Sequence, residues 1–393
     1  MAALDGLRIL DLSRLLPGPF ATLALADLGA TVDRIEEPGG DYLRHMPPLV
    51  APVPNEKFGA TDTCGMFLSL NRNKRSAVID LKKESGKRAL LRLVNSYDVV
   101  IEQFRPGVLD RLALSKEALR KENPKLIICS ITGYGQDGPD AQRAGHDLNY
   151  ISRAGLLGFQ GGEPPSVPGF QVADIGGALW AVIGILAALR ERDRTGQGTD
   201  VDISMTEAAM GFGIMSFGHL LAKQIPKAGN ESLTGALAAY STYRTKDDRA
   251  VALGSLEPKF FSAFAHAVGL EASLDANVEG PHQPALKARV QEVFRSKTAE
   301  EWKAFAREHD CCLETVSTPE ELTKDAQHVA RKSFFELASP WGDLLQWRTP
   351  TADRDLAQRS PPRAGEHSRE VFLEAGFSAE EIARLVEERA LLE

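Results

Sequence analysis

The sequence predicts an α/β protein in which a large Rossmann-like domain, built on a parallel sheet, is joined to a smaller α+β domain. Short β-rich runs alternate with amphipathic stretches through the first half of the chain, which is the rhythm of β-α units around a largely parallel sheet. Beyond Gly229 that rhythm gives way to a shorter strand followed by helical pattern. The length of 393 residues also exceeds what one hydrophobic core usually serves. The boundaries drawn from these shifts are 1–215 for the N-terminal part of the large domain, 230–325 for the small domain, and 326–393 for a connection and C-terminal return to the large domain.

In chain order, strands are expected over 8–12, 31–35, 77–81, 99–104 and 126–132. Helices are expected over 20–28, 85–95 and 116–121, where apolar residues recur at three- and four-residue spacing. The stretch from Met46, MPPLVAPVPNEKFGATDTCG, is rich in Pro and Gly without period and reads as a surface loop or flap spanning about 47–66. The apolar run 175–189, about fifteen residues, falls short of the roughly 18 that a membrane span needs and reads as a buried helix. Further on, a strand is expected over 250–254 and helices over 260–268 and 284–294. The polar segment 347–364, holding Pro350, Pro361 and Pro362, marks a crossing connection, and a final amphipathic helix is expected over 378–391.

A composition of 43% hydrophobic and 25% charged residues is ordinary for a globular protein. The net charge of -8 argues against nucleic acid as a partner, because phosphate backbones demand a concentrated basic face. An anionic ligand must therefore meet a local basic patch. Cys64, Cys129, Cys311 and Cys312 include one adjacent pair and no CxxC, so neither a disulfide framework nor a zinc site is suggested. The N-terminus enters a strand pattern directly, without the layout of a signal peptide. A cytoplasmic, reducing location and no membrane association are expected.

Several residues carry chemistry. Gly133, Gly135 and Gly138 have the spacing of a dinucleotide fingerprint, but they follow a late strand and precede Pro139 and Asp140. They read as a loop whose backbone approaches something closely rather than as an NAD site. Arg72, Lys74, Arg75, Lys82 and Lys83 flank a strand; such a cluster is either a solvated charged edge or a phosphate site. Gln103-Phe104-Arg105 ends a strand, where parallel sheets place ligands. His146 follows a glycine in a loop, and Asp174 stands directly before the apolar helix, where it either caps the N-terminus or uses the dipole to remain ionised. Glu257, beside Pro258, ends the strand expected near 250–254. Together, one imidazole, one carboxylate and a second carboxylate able to orient the imidazole make a usable two-base device.

These residues sit in longer motifs: Leu16-Pro-Gly-Pro19, Asn73-Lys-Arg-Ser76, Gln103-Phe-Arg-Pro-Gly-Val108, Ile131-Thr-Gly-Tyr-Gly-Gln136, Ala144-Gly-His-Asp-Leu-Asn-Tyr150, Ala173-Asp174, Arg194-Thr-Gly-Gln-Gly198 and Leu256-Glu-Pro258. Over nearly its whole length the chain resembles the class III CoA-transferases, and within them it is similar to the α-methylacyl-CoA racemase branch. The resemblance implies an interlocked homodimer in which each chain has a large domain built from both termini and a small domain from the later middle. The active sites would lie between the large domain of one subunit and the small domain of the other.

For this sequence, the resemblance implies His146 and Asp174 as the two acid/base groups on opposite faces of a 2-methylacyl-CoA thioester, and Glu257 as the partner that orients His146. It implies no metal and no organic cofactor, coenzyme A being part of the substrate, and a place in lipid metabolism. Leu15, Leu16, Ile79, Lys82, Gln103, Phe104 and Arg111 fall where the family contacts coenzyme A, and Arg105 joins them as a coenzyme A candidate from its place at the strand end. The transferase branch uses the residue aligned with Asp174 as a nucleophile, so a CoA-transferase moving CoA between carboxylic acids is the alternative. The Gly-His-Asp motif favours the racemase branch, since the formyl-CoA transferase type carries a tyrosine where His146 stands. The chain departs from the branch at Glu37, where an arginine often contacts the nucleotide, in the longer 47–66 loop, and at Cys312-Leu-Glu-Thr-Val316.

Overall fold

The computed structural model describes residues 2–54, 59–271 and 274–392. They divide into two compact units: Met1–Ala154, Phe170–Gly211 and Ala326–Glu393 form the first, and Gly155–Gly169 with Phe212–Asp325 the second. The segment Gly155–Gly169, drawn from sequence into 1–215, groups with the second unit. It is tied there by the Gly229 N–H on the Phe159 carbonyl at 2.8 Å and by an edge contact of Phe159 with Phe217.

The first unit is built on β1 (Arg8–Asp11), β2 (Thr31–Glu36), β3 (Lys74–Ile79), β4 (Val99–Glu102), β5 (Ile127–Thr132) and β6 (Asp200–Ser204), all paired in parallel in the order β3-β2-β1-β4-β5-β6. The C-terminal strand Leu391–Leu392 adds an antiparallel edge beside β3. Near-continuous apolar runs such as Val99, Val100 and Ile101 are fully buried, as a sheet covered on both faces requires. The chain order reverses between β1 and β4, which is the Rossmann switch point. Helices α1 (Pro17–Asp27), α2 (Glu84–Leu93) and α3 (Lys116–Glu122) lie near their expected positions.

Neither β6 nor the C-terminal strand was expected, and 391–392 leave the final helix, which runs Ala379–Glu387 with Ser378 as N-cap. These strands are short, and the burial that makes them strands comes from distant partners. The strand expected over 77–81 instead begins at Lys74 and ends at Ile79, because its two leading cations are buried in ion pairs rather than solvated.

Two segments were misjudged as simple surface or core. The 47–66 stretch holds a short antiparallel pair, Leu49–Val50 with Thr63–Cys64, and its residues 55–58 lie outside the described residues. Cys64 is buried with Phe67, Leu68 and Trp341, whose indole N–H donates to the Thr61 carbonyl at 2.9 Å. The apolar run expected to be buried lies in α5 (Val172–Thr195). Its small residues Gly176, Gly177, Ala178 and Ala181 face inward, whereas Leu179, Trp180, Ile183 and Leu186 are exposed. By length and composition alone α5 could also cross a membrane, a test that core helices of soluble proteins pass as well.

In the second unit β7 (Tyr240–Arg244), β8 (Ala250–Gly254) and β9 (Leu313–Thr315) form an antiparallel sheet in the order β9-β8-β7. It packs on α6 (Pro258–Ala267), α7 (Gln283–Phe294) and α8 (Ala299–Glu308) through an aromatic core. Phe264 stacks on Phe294 at 5.2 Å and Tyr243 stacks on Phe294 at 5.1 Å, each such pair adding about 0.5–1.5 kcal/mol beyond its buried area.

Candidate active site

Two clefts open at the carboxyl ends of the parallel strands, on either side of the switch point. The first, of 430 Å3, is lined by Leu15, Gln103, Phe104, Arg105, His146, Tyr150, Asp174 and Met205. The second, of 320 Å3, is lined by Glu36, Glu37, Ile79, Lys82 and Phe104. Arg14 and Phe104 line both, so the clefts meet where the loops after β1 and β4 face each other.

The loop after β1 is held from below by buried charge. The Asp11 carboxylate accepts from the Ser13 N–H at 2.9 Å, from the Ser13 hydroxyl, and from the Thr22 hydroxyl at 2.8 Å. Arg34 donates to the Ser13 carbonyl, and the Lys74 ammonium donates to the Pro19 carbonyl at 2.7 Å. A Cβ at Gly18 would fall 2.1 Å from Ser13, which is why the Leu16-Pro-Gly-Pro19 turn needs glycine. Gln103 completes it, its Oε1 accepting from the Gly18 N–H at 3.2 Å.

His146 is the N-cap residue of α4 (Asp147–Arg153), and its N–H donates to Asn149 Oδ1 at 3.0 Å. The glycines around it are explained by one aromatic ring. A Cβ at Gly133 would lie 2.3 Å, and at Gly145 2.6 Å, from Tyr150, whose hydroxyl donates to the Gly145 carbonyl at 2.5 Å. The close approach expected of the glycine-spaced loop is therefore to Tyr150 at Gly133, whereas a Cβ at Gly138 would meet nothing within 4 Å. Burial, together with the Asp174 charge, pushes the Tyr150 phenol up to about 12, so it stays a donor.

Asp174 lies in the first turn of α5, half-buried in the first cleft. It neither caps the helix nor is held ionised, as the sequence had suggested. Its carboxyl takes no hydrogen bond among the described residues, and burial, reinforced by the charge of Asp147, pushes it up to about 7. A carboxyl that exchanges its proton near neutrality suits acid–base work. Among the described residues no three His, Cys, Asp or Glu side chains gather to hold a metal ion.

Of the residues expected at coenzyme A, Leu15, Gln103, Phe104 and Arg105 line the first cleft, and Ile79, Lys82 and Phe104 the second. Leu16 packs instead with the Phe67 cluster, and Arg111, ending the short helix Val108–Arg111, lines neither cleft. The basic cluster is neither a solvated edge nor a phosphate site as a whole. Arg72 is bonded to Asp27, Lys74 to Asn71 and Pro19, and Arg75 to Asp33 and Glu374. Of this group, only Lys82 lines either of the two clefts described. Glu37 meets Arg14 at 3.8 Å.

Glu257 belongs to the second unit, at the N-cap of α6, exposed and making no side-chain cap bond there. Sequence reasoning missed Arg14, Arg143 and Met205, which line the first cleft, and gave no role to Asp147 or Tyr150 although both stood in a quoted motif. Arg14 was findable, since it follows β1 at the carboxyl edge where such sheets bind ligands. Met205 carries no such signal.

A Rossmann-ordered sheet with a switch-point cleft lined by an imidazole and by a carboxyl pushed up to about 7 is an α/β architecture whose cleft groups suit acid–base or acyl-transfer chemistry. The chain belongs to CoA-transferase family III, whose profile it matches over residues 4–368, and it is an enzyme of that superfamily. It is 35% identical to human alpha-methylacyl-CoA racemase, covering 98% of this chain and 96% of the relative. It is 30% identical to mouse succinyl-CoA:glutarate CoA-transferase, covering 95% and 86% of the two chains. Among solved structures, a CAIB/BAIF family protein from Brucella suis superposes with a TM-score of 0.82 at 29% identity, covering 95% of this chain and 99% of the other.

Proposed function

We propose that the enzyme racemises 2-methylacyl-CoA thioesters by two-base 1,1-proton transfer. The observation that carries this is the pairing of His146 with a half-buried Asp174, pushed up to about 7, in one cleft. One group takes the α-proton, leaving the electron pair as an enolate on the thioester oxygen. The other returns a proton to the opposite face, so the substrate inverts and the two groups exchange protonation states. Hydrogen-bond donors lining the cleft would stabilise the enolate. Such acid–base assistance contributes typically about 10²–10⁴-fold.

The nucleotide of coenzyme A is assigned to the second cleft with Lys82 and Ile79, and the pantetheine arm to the passage beside Phe104 and Arg14. Glu257 is assigned the orientation of His146 in an interlocked homodimer, and the exposed Leu179, Trp180, Ile183 and Leu186 of α5 are suited to such an association. A second reading, CoA transfer between carboxylic acids with Asp174 as nucleophile, is favoured by the similarity to the mouse transferase.

Proton NMR of a pure (R)-2-methylacyl-CoA incubated in D2O without a carboxylate acceptor separates the two. Racemisation predicts loss of the α-proton signal with inversion. No exchange, followed by new thioester when carboxylates are added, would establish the transferase instead.

A further inference from the structure

Helix α5 begins without a cap of its own, because Gln171 at its N-cap position supplies no side-chain bond, and first-turn N–H groups need acceptors. The acceptor comes from another helix. Asp147 Oδ1 takes the N–H of Ala173 at 2.7 Å and that of Asp174 at 3.1 Å. Asp147 is also the first residue of α4, directly after His146. One carboxylate thus ties the backbone that carries His146 to the backbone that carries Asp174.

We propose that Asp147 is a positioning residue for the reaction: its carboxylate holds the two base-bearing helix starts in register and sets the negative field in which the Asp174 carboxyl ionises. The proposal rests on the racemase reading for its kinetic consequence and on geometry for the rest. Burial and the Asp147 charge are the causes that raise Asp174, and like charges sharing a site oppose ionisation. Besides Asp174, the charged or titratable groups lining the cleft are Arg14 from the loop after β1, Arg105 from the loop after β4, Arg143 and His146 from the loop before α4, and Tyr150 from α4. No second carboxylate lines the cleft among the described residues, and Asp147, which accepts from the Asp174 N–H at 3.1 Å, is the carboxylate whose charge acts on Asp174.

The discriminating pair is Asp147→Asn and Asp147→Ala. Asparagine keeps an oxygen where Oδ1 stands, so the two N–H bonds persist while the charge goes; alanine loses both. Two readouts are taken on the full-length enzyme: kcat/KM for racemisation of each enantiomer from pH 5 to 9, and the carboxyl ¹³C titration of Asp174, identified by its loss in Asp174→Asn. The expected result for Asp147→Asn is that the Asp174 titration, and the matching limb of the pH profile, move to lower pH by about one pH unit. Asp147→Ala is expected to lower kcat about tenfold further, with KM little changed, because the bases lose register.

An Asp174 titration in Asp147→Asn that superimposes on the wild type overturns the electrostatic role. Equal kcat in the two variants overturns the positioning role. If the wild type exchanges no α-proton at all, the racemase reading fails, and the carboxyl titration still decides the effect of Asp147 on Asp174.

Discussion

Glu36 and Asp174 are both carboxyl groups withdrawn from water in the first unit, and their surroundings drive them in opposite directions. Burial raises Glu36, but the Arg44 guanidinium at 2.6 Å, Arg34 and the Ser76 hydroxyl outweigh it and bring the group down to about 2. Among the described residues no cation is bonded to Asp174; burial and the adjacent Asp147 act together and take it up to about 7. Removal from water, complete for Glu36 and partial for Asp174, is common to both, so the sign of the charge placed alongside decides which carboxylate is structural and which is available for proton transfer.

The strongest way to break that comparison is to remove the group said to be functional. Asp174→Ala and His146→Ala are each expected to lower racemisation by about 10²–10⁴-fold while leaving CoA-thioester binding largely intact, as calorimetric titration with a non-exchangeable thioester would report. Wild-type racemisation in either variant would remove the two-base assignment.

Next in size is the structural side. Arg44→Ala removes the closest cation from buried Glu36 and leaves it Arg34 at 3.9 Å and the Ser76 hydroxyl, at an expected cost of up to about 3–5 kcal/mol at pH 7 by urea denaturation. Because the folded pKa of Glu36 is depressed, its contribution is present above the ordinary carboxylate range, near 4.5, and is lost as pH falls through about 2. The cost of Arg44→Ala is therefore expected to shrink across that window.

Asp174 gives the opposite sign. A carboxyl with raised folded pKa contributes stability while protonated, and that contribution is lost as pH rises through about 7. Asp174→Asn is accordingly expected to stabilise the fold by about 1–2 kcal/mol at pH 8, discounted for the partial exposure of the group, and by almost nothing at pH 4. Thermal unfolding at the two pH values checks this. Smallest of all, Lys82→Ala is expected to weaken CoA binding by about two- to fivefold, less at high salt, since the residue is exposed.

Much of this was legible one residue at a time. The apolar runs of β1, β2, β4 and β5 announce buried parallel strands, and the motif around His146 and the position of Asp174 before an apolar helix drew attention to both. The basic residues Arg72, Lys74 and Arg75 were not legible, because a sequence records a charge but not the carboxylate that meets it. Asp27, Asp11 and Asp33 come from distant positions in the chain to bury them. The same holds for α5: its apolar residues predict burial, yet a helix with small residues inward leaves Leu179 and Trp180 on the outer face.

By itself the sequence determined the layered α/β architecture, the family and the identity of the candidate bases, because periodicity and motifs are local and survive without coordinates. Only the tertiary structure decided which charges are structural, which loops line the clefts, and that Asp147 rather than Gln171 or Asp174 caps α5. Those outcomes depend on pairs of residues far apart in the chain, whose energies exist only once folding has set their distance and taken them out of water.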